Sequence, residues 1–283
     1  MTVYLDPTND IAFKKVFGDK ARLKKFLNTI MRLPSHMQIE DLEYISQELV
    51  PDLGQLKRGI VDIRCKDLQG NSYIVEMQNG WAQNFIKRVQ FYGSHAITSQ
   101  VERGKTHADI APVILILILS GFTALKDNSL DVVTFHRTVE VESGKSFLKD
   151  LSYVFVEVDR FNKPESELDT FEDYWLYYLS KWSNVKEPPK SLKDDDILSA
   201  YDAIDKFNWS AEQLDAYLKA KLALDTENMN LKAEFEKGEA KGKAEGKAER
   251  NIEIAKKLIS KGNSIDDIID ITGLSRDEIL KIK

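Results

Sequence analysis

Apolar and polar positions along the 283-residue chain change period several times, and each change predicts an element. Over residues 8–32, Ile11, Phe13, Val16, Phe17, Leu23, Phe26, Leu27 and Ile30 recur at roughly helical spacing. That spacing predicts one amphipathic helix with Thr8 or Asn9 as its cap and Gly18 in its middle. Residues 39–50 contain a strand candidate ending near Pro51, and a glycine-containing loop is expected over 52–59. The period then falls to two. Val61, Ile63 and Cys65 alternate with Asp62 and Arg64, and Tyr73, Val75 and Met77 alternate with Ile74, Glu76 and Gln78. Two strands paired through a turn at 68–71 are expected. Gly80 separates them from a helix over 81–103, which Gly104 ends. Residues 113–119 are uniformly apolar, the pattern of a strand covered on both faces, and 132–139 and 153–158 are further strand candidates.

Beyond Phe161 the helical period takes over. Residues 167–182 carry Phe171, Tyr174, Trp175, Tyr178 and Trp182 as an aromatic stripe facing a core. Pro188 and Pro189 mark a loop, and helices are expected over 194–208 and 210–230. Residues 233–250 are of low complexity, with Gly238, Gly242 and Gly246 between alternating Glu and Lys. Each glycine costs about 1 kcal/mol in a helix relative to alanine. A solvated linker helix is therefore expected, with a close-packed helix dimer as the alternative. Residues 252–283 hold two or three short amphipathic helices. Within them a helix, a Thr-Gly-Leu turn and a Ser-capped helix outline a helix-turn-helix. Its second helix begins Ser275, Arg276, Asp277, Glu278, and those acids would repel phosphate, which favours a protein-interaction or packing module over a DNA reader. The expected domains are 1–230, with a helical extension from about 165, a linker helix over 231–250 and a small helical tail over 251–283.

Composition narrows the class. An apolar content of 42% supports a real core. The longest apolar run, 110–119, is about half of the ~20 residues a membrane helix requires. No charged leader precedes an apolar stretch at the start, and the single cysteine, Cys65, excludes an intrachain disulfide and a Cys-based zinc cluster. A reducing cytoplasm is the expected compartment, with no membrane partner. His36, His95, His107 and His136 have no ligand spacing. The net charge of -6 argues against a surface that is basic all round. Locally, however, Lys14, Lys15, Lys20, Arg22, Lys24, Lys25 and Arg32 stand against Asp19 alone, so this stretch reads either as a phosphate-holding patch or as a solvated helix face.

The chemistry concentrates in the hairpin. If its strands pair antiparallel, facing Cβ atoms lie about 4.5–5.5 Å apart, which brings Asp62 and Glu76 within reach of one cation, with Gln78 on the same face as Glu76. Two carboxylates and a carboxamide suit a hard ion such as Mg2+. The bland alternative makes Asp62 and Glu76 ordinary solvent-face residues of a hairpin, with Arg64 paired to Glu76. Arg88 and Tyr92, one turn apart on the next helix, are either functional or a helix surface pair.

With these residues laid out, most of the chain resembles the recombination-promoting nuclease and transposase (Rpn-like) family, a branch of the PD-(D/E)XK nuclease superfamily. Residues 9–18, Asn-Asp-Ile-Ala-Phe-Lys-Lys-Val-Phe-Gly, look like that family's Asp-x-x-Phe-Lys start. Asp62 with Glu76-Met77-Gln78 looks like its core signature, a Glu-x-Gln where many relatives have Glu-x-Lys. Arg88, Tyr92 and the apolar strand over 113–119 follow in the expected order, and the Gly-Lys-Ala-Glu repeats with a Thr-Gly-Leu-Ser tail resemble its endings.

The resemblance implies an α/β fold with an αβββαβ restriction-endonuclease-like core, a mixed central sheet flanked by helices, and a helical C-terminal extension. It implies hydrolysis of a DNA phosphodiester, with Asp62, Glu76 and the Met77 main-chain carbonyl as ligands to Mg2+, or to Mn2+ as an alternative. Gln78 would orient the attacking water, although a carboxamide carries no charge to stabilise the reacting phosphate. Asp10 and Lys14, one turn apart on the first helix, are supporting candidates: an extra acid near the metal, and a cation for the scissile phosphate. Arg88 and Tyr92 are supporting candidates on the later helix. DNA is the expected partner, and the C-terminal helices are candidates for homo-oligomer contacts. A competing hypothesis is a nuclease-fold protein that cleaves weakly or not at all and acts as a nucleic-acid-binding or protein-interaction module.

Overall fold

The protein is described here by a computed structural model covering residues 3–50, 59–82, 84–101 and 106–282. The expected loop over 52–59 and the end of the expected helix at Arg103 and Gly104 lie wholly or largely outside the described residues.

The stretch expected as one helix forms two, α1 (Asp10–Phe17) and α2 (Lys20–Ile30). Asn9 caps α1 by accepting from the Ile11 N–H, and Asp19 caps α2 by accepting from the N–H groups of Ala21 and Arg22. Between them, a Cβ on Gly18 would sit 2.5 Å from the Lys14 carbonyl oxygen, so only glycine fits the break without a shift. The expected strand over 39–50 is likewise two short pieces, β1 (Leu42–Tyr44) and β2 (Glu48–Val50), and β2 pairs only with β3 (Gly59–Ile60) in a separate small sheet.

The central hairpin comprises β4 (Ile63–Asp67) and β5 (Ser72–Asn79), antiparallel, with Ile63 opposite Val75 and Cys65 opposite Tyr73. Its turn is held by the Asp67 carboxylate, which accepts from the N–H groups of Gln69 and Asn71, the Asn71 amide and the Tyr73 hydroxyl at 2.7–2.9 Å. Gly70 completes the turn at φ +88°, a conformation other residues rarely adopt. Helix α3 (Phe85–Thr98) begins later than expected, after Asn84 in a left-handed conformation, and returns the chain to β6 (Val113–Ser120), which lies parallel to β5. β7 (Val133–Arg137) and β8 (Leu151–Glu157) complete the sheet, β8 parallel to β6 and β7 antiparallel to β8. The six-stranded mixed sheet therefore has the order β1-β4-β5-β6-β8-β7.

Both faces of this sheet are covered, as the continuous apolar pattern of β6 requires. On one face α1, α2, α4 (Phe171–Lys181) and α5 (Asp195–Ile204) pack with Ile63, Cys65, Val75, Ile116 and Ile118 around Phe17, Phe26, Trp175, Tyr178 and Tyr201. On the other, Phe85, Val89 and Ala96 of α3 cover Ile74, Leu115, Leu117 and Phe155. The aromatic stripe of α4 is core, with Trp175 and Tyr178 fully buried.

The segments expected as separate helices over 210–230 and 233–250 belong to one helix, α6 (Ala211–Ser260). The chain divides into two compact units, Met1–Leu224 and Asp225–Lys283. In the second unit, α7 (Ile265–Thr272) and α8 (Arg276–Ile282) share a small core of Ala255, Ile268 and Ile279. The predicted Ser275 cap forms: its hydroxyl accepts from the Glu278 N–H, while the Glu278 carboxylate accepts from the Ser275 N–H.

Candidate active site

The site arises from a mismatch in strand length. β4 begins at Ile63, opposite Val75, whereas β5 runs on to Asn79, so β5 extends past the start of its hairpin partner. The Met77 N–H on that edge meets no strand, and the Asp62 carboxylate takes it at 2.7 Å through Oδ2. In return the Asp62 N–H donates to Glu76 Oε2 at 3.3 Å. Each acid is thus oriented by backbone of the other's strand. A strand residue presents its N–H and C=O on the same edge, which puts the Met77 carbonyl on the Asp62 side as well. The Gln47 amide donates to the Asp62 carbonyl oxygen and ties down this chain entry.

Two helices deliver charge from opposite faces of the sheet. From α1, Lys14 Nζ lies 2.7 Å from Asp10 Oδ1 and 3.9 Å from Asp62 Oδ1. From α3, Arg88 Nη2 donates to Gln78 Oε1 and lies 4.0 Å from Glu76 Oε1. Tyr92, half-buried one turn along, has its phenol pushed upward by burial and then by the nearby Glu76 charge. The start of α1 is tied to the end of β5: the Asn79 amide donates to the Thr8 hydroxyl at 2.7 Å, and that hydroxyl donates to Asp6 at 2.6 Å.

Neither acid is a solvent-face residue. Glu76 is 8% exposed, and its burial, followed by the charge of Asp62, pushes its carboxyl up to about 8. Burial pushes Asp62 up to about 6; the Met77 N–H and Lys14 oppose the rise, and the adjoining Asp10 carboxyl adds to it. The Arg64–Glu76 pair of the bland alternative does not form: Arg64 stands opposite Ile74, and the guanidinium beside Glu76 is that of Arg88. Gln78 also differs from expectation: Oε1 accepts from Arg88 and Nε2 donates to the Gly80 carbonyl at 3.2 Å, so both ends of the amide are already engaged.

The structure therefore gathers Asp62, Glu76, Gln78, Asp10, Lys14 and Arg88 around one notch where β5 outruns β4, with Tyr92 beside it. Among the described residues no three His, Cys, Asp or Glu side chains form a ready-made metal cluster. The acidic pair nevertheless fits a hard divalent cation, because its donors are oxygens and the fold leaves their shared negative charge incompletely balanced. Gln47 and Asn79 were not singled out from the sequence, and Thr8 only as a helix cap, since nothing in their spacing marks them for the site and only the fold brings them to it.

A mixed sheet with this strand order, helices on both faces and an acidic pair on the central hairpin define the PD-(D/E)XK class. The chain belongs to the PD-(D/E)XK nuclease family transposases, whose family model matches residues 7–233. No curated protein and no solved structure matches it.

Proposed function

We propose that the protein is a divalent-metal-dependent DNA endonuclease of the cytoplasm that serves recombination or mobile elements. The observation that carries this reading is the Asp62–Glu76 pair, Glu76 buried and Asp62 partly so, set between Lys14 and Arg88 with its charge undercompensated. Asp62, Glu76 and the Met77 carbonyl would hold Mg2+, or Mn2+ in its place. When bound, the ion supplies positive charge that polarises a phosphoryl oxygen and lowers the pKa of water. Lys14 sits where it can pair with the scissile phosphate on the α1 side while Asp10 orients its ammonium. The Tyr92 hydroxyl, protonated as a tyrosine phenol is and with burial raising its pKa further, is a hydrogen-bond donor on the α3 side.

Incubating purified protein with supercoiled plasmid and Mg2+ or Mn2+ tests the reading. Wild type should nick or linearise the plasmid, and Asp62→Ala and Glu76→Ala should each lose at least about 10²-fold in rate. Equal nicking by all three proteins would remove these residues from the site.

A second reading, a nucleic-acid-binding module without cleavage, is favoured by one observation: Gln78 spends both ends of its amide within the protein. It predicts salt-sensitive DNA retention with no metal-dependent product.

A further inference from the structure

Resting on the nuclease reading above, we propose that Arg88 is the phosphate-facing cation on the α3 side of this site and that Gln78 is its positioning residue. Hydrolysis of a phosphodiester gathers negative charge on the phosphoryl oxygens, and a side chain that answers it must be cationic, reachable and held. Gln78 is uncharged, and its amide is occupied by Arg88 and Gly80. Lys14 serves the α1 side, where its charge is shared with Asp10 at 2.7 Å.

Arg88 differs from both. Its side chain is 35% exposed, so a substrate can reach it. The guanidinium is held from two directions, by Gln78 Oε1 at one Nη2 and by the ring of Phe85, one turn earlier on α3, whose centroid is 5.3 Å from Cζ. Its Glu76 contact is at the outer limit of an ion pair, 4.0 Å, and its Nε is buried with no hydrogen-bond partner. A guanidinium has five N–H donors in a planar fork matched to two phosphate oxygens, and here most of them have no acceptor. The Gln78 carbonyl is suited to the positioning role because it fixes the fork without neutralising it, which a Glu at 78 would do. Strand and helix together thus provide a held cation beside Glu76 that neither residue provides alone.

The proposal is tested with full-length Arg88→Ala, Arg88→Lys, Gln78→Lys and the double variant Arg88→Ala/Gln78→Lys, by plasmid cleavage and by DNA binding over a salt series in EDTA. Arg88→Ala should lower kcat by about 10²-fold or more with KM moving less, and should reduce the slope of log Kd against log salt by about one. Arg88→Lys, which keeps the charge without the fork and the fold without a cavity, should fall between the two. Gln78→Lys alone should be slower than wild type, because its ammonium meets the guanidinium. In the double variant that lysine replaces the lost cation, and cleavage should recover at least about tenfold over Arg88→Ala. Wild-type cleavage and salt slope in Arg88→Ala, or a double variant no faster than the single one, overturns the proposal. If wild type does not cut but Arg88→Ala still loses the slope, the nuclease reading fails while the cation assignment stands. If wild type cuts and Arg88→Ala cuts equally well, the reverse holds.

Discussion

Asp62 and Glu76 are where this fold gives up stability. Two acids share a buried notch, and their cations stand 3.9 and 4.0 Å away, too far to balance them fully. A carboxyl whose pKa is higher in the folded than in the unfolded chain holds its proton more tightly in the fold. The stability linked to it is complete below the ordinary glutamate range and is lost as pH rises through the folded value. For Glu76 that window runs from about 4.5 up to about 8. Metal-free wild type should therefore melt lower at pH 8 than at pH 5. Glu76→Gln, which keeps an acceptor for the Asp62 N–H and removes the charge, should flatten the dependence and gain about 1–3 kcal/mol at pH 8. Thermal melts in EDTA at the two pH values decide it; parallel pH dependence in both proteins would show that Glu76 carries no such cost.

At the scale of elements, period and cap chemistry made most of the fold legible, and the exceptions have physical causes. The α1–α2 break was hidden because Phe17 before it and Leu23 and Phe26 after it face one core, so the apolar spacing runs on through the corner. Its actual signal was polar: Asp19, placed to cap the second helix. The acids of the hairpin were legible because register alone brings them together, whereas the Gln78–Arg88 contact depends on the chain turning at Gly80 and Asn84, both at positive φ. In α6 the repeat was legible as a helix, and its alternating charges pair one turn apart, Lys243 with Glu239 at 2.6 Å and Lys241 with Glu245 at 3.7 Å. A Cβ added at Gly238, Gly242 or Gly246 would meet open space. Replacing all three by alanine should thus raise helicity and stabilise this stretch by about 1 kcal/mol per site, with no change of mass in solution. Circular dichroism with light scattering checks this, and dissociation of a larger species would instead identify a close-packed helix dimer.

For the whole molecule, the decisive quantity is how few cations are left for DNA. The run of seven basic residues over 14–32 looked like a patch because sequence shows neighbours along the chain and not across it. In the fold Lys20 pairs with Asp41, Lys25 with Asp194 and Arg32 with Glu172, acids remote in sequence. Arg22 bonds the carbonyls of Val16 and Lys15, and Lys15 lies over the Trp209 ring and donates to Gln213. These contacts tie most of the run to other parts of the fold, which agrees with a net charge of -6. Among the described residues, Lys14 and Arg88 are the cations that face the notch. Each neutralised phosphate contributes about -0.9 to the slope of log affinity against log salt on duplex DNA. A surface using all seven residues would give a slope near about -6, whereas Lys14 and Arg88 with one further contact give about -2 to -3. Titrating a fluorescent duplex with metal-free protein from roughly 50 to 200 mM salt should return the shallow slope. A steep one would mean that DNA displaces the Asp41, Asp194 and Glu172 pairs, and that the first two helices, not the notch, carry the binding.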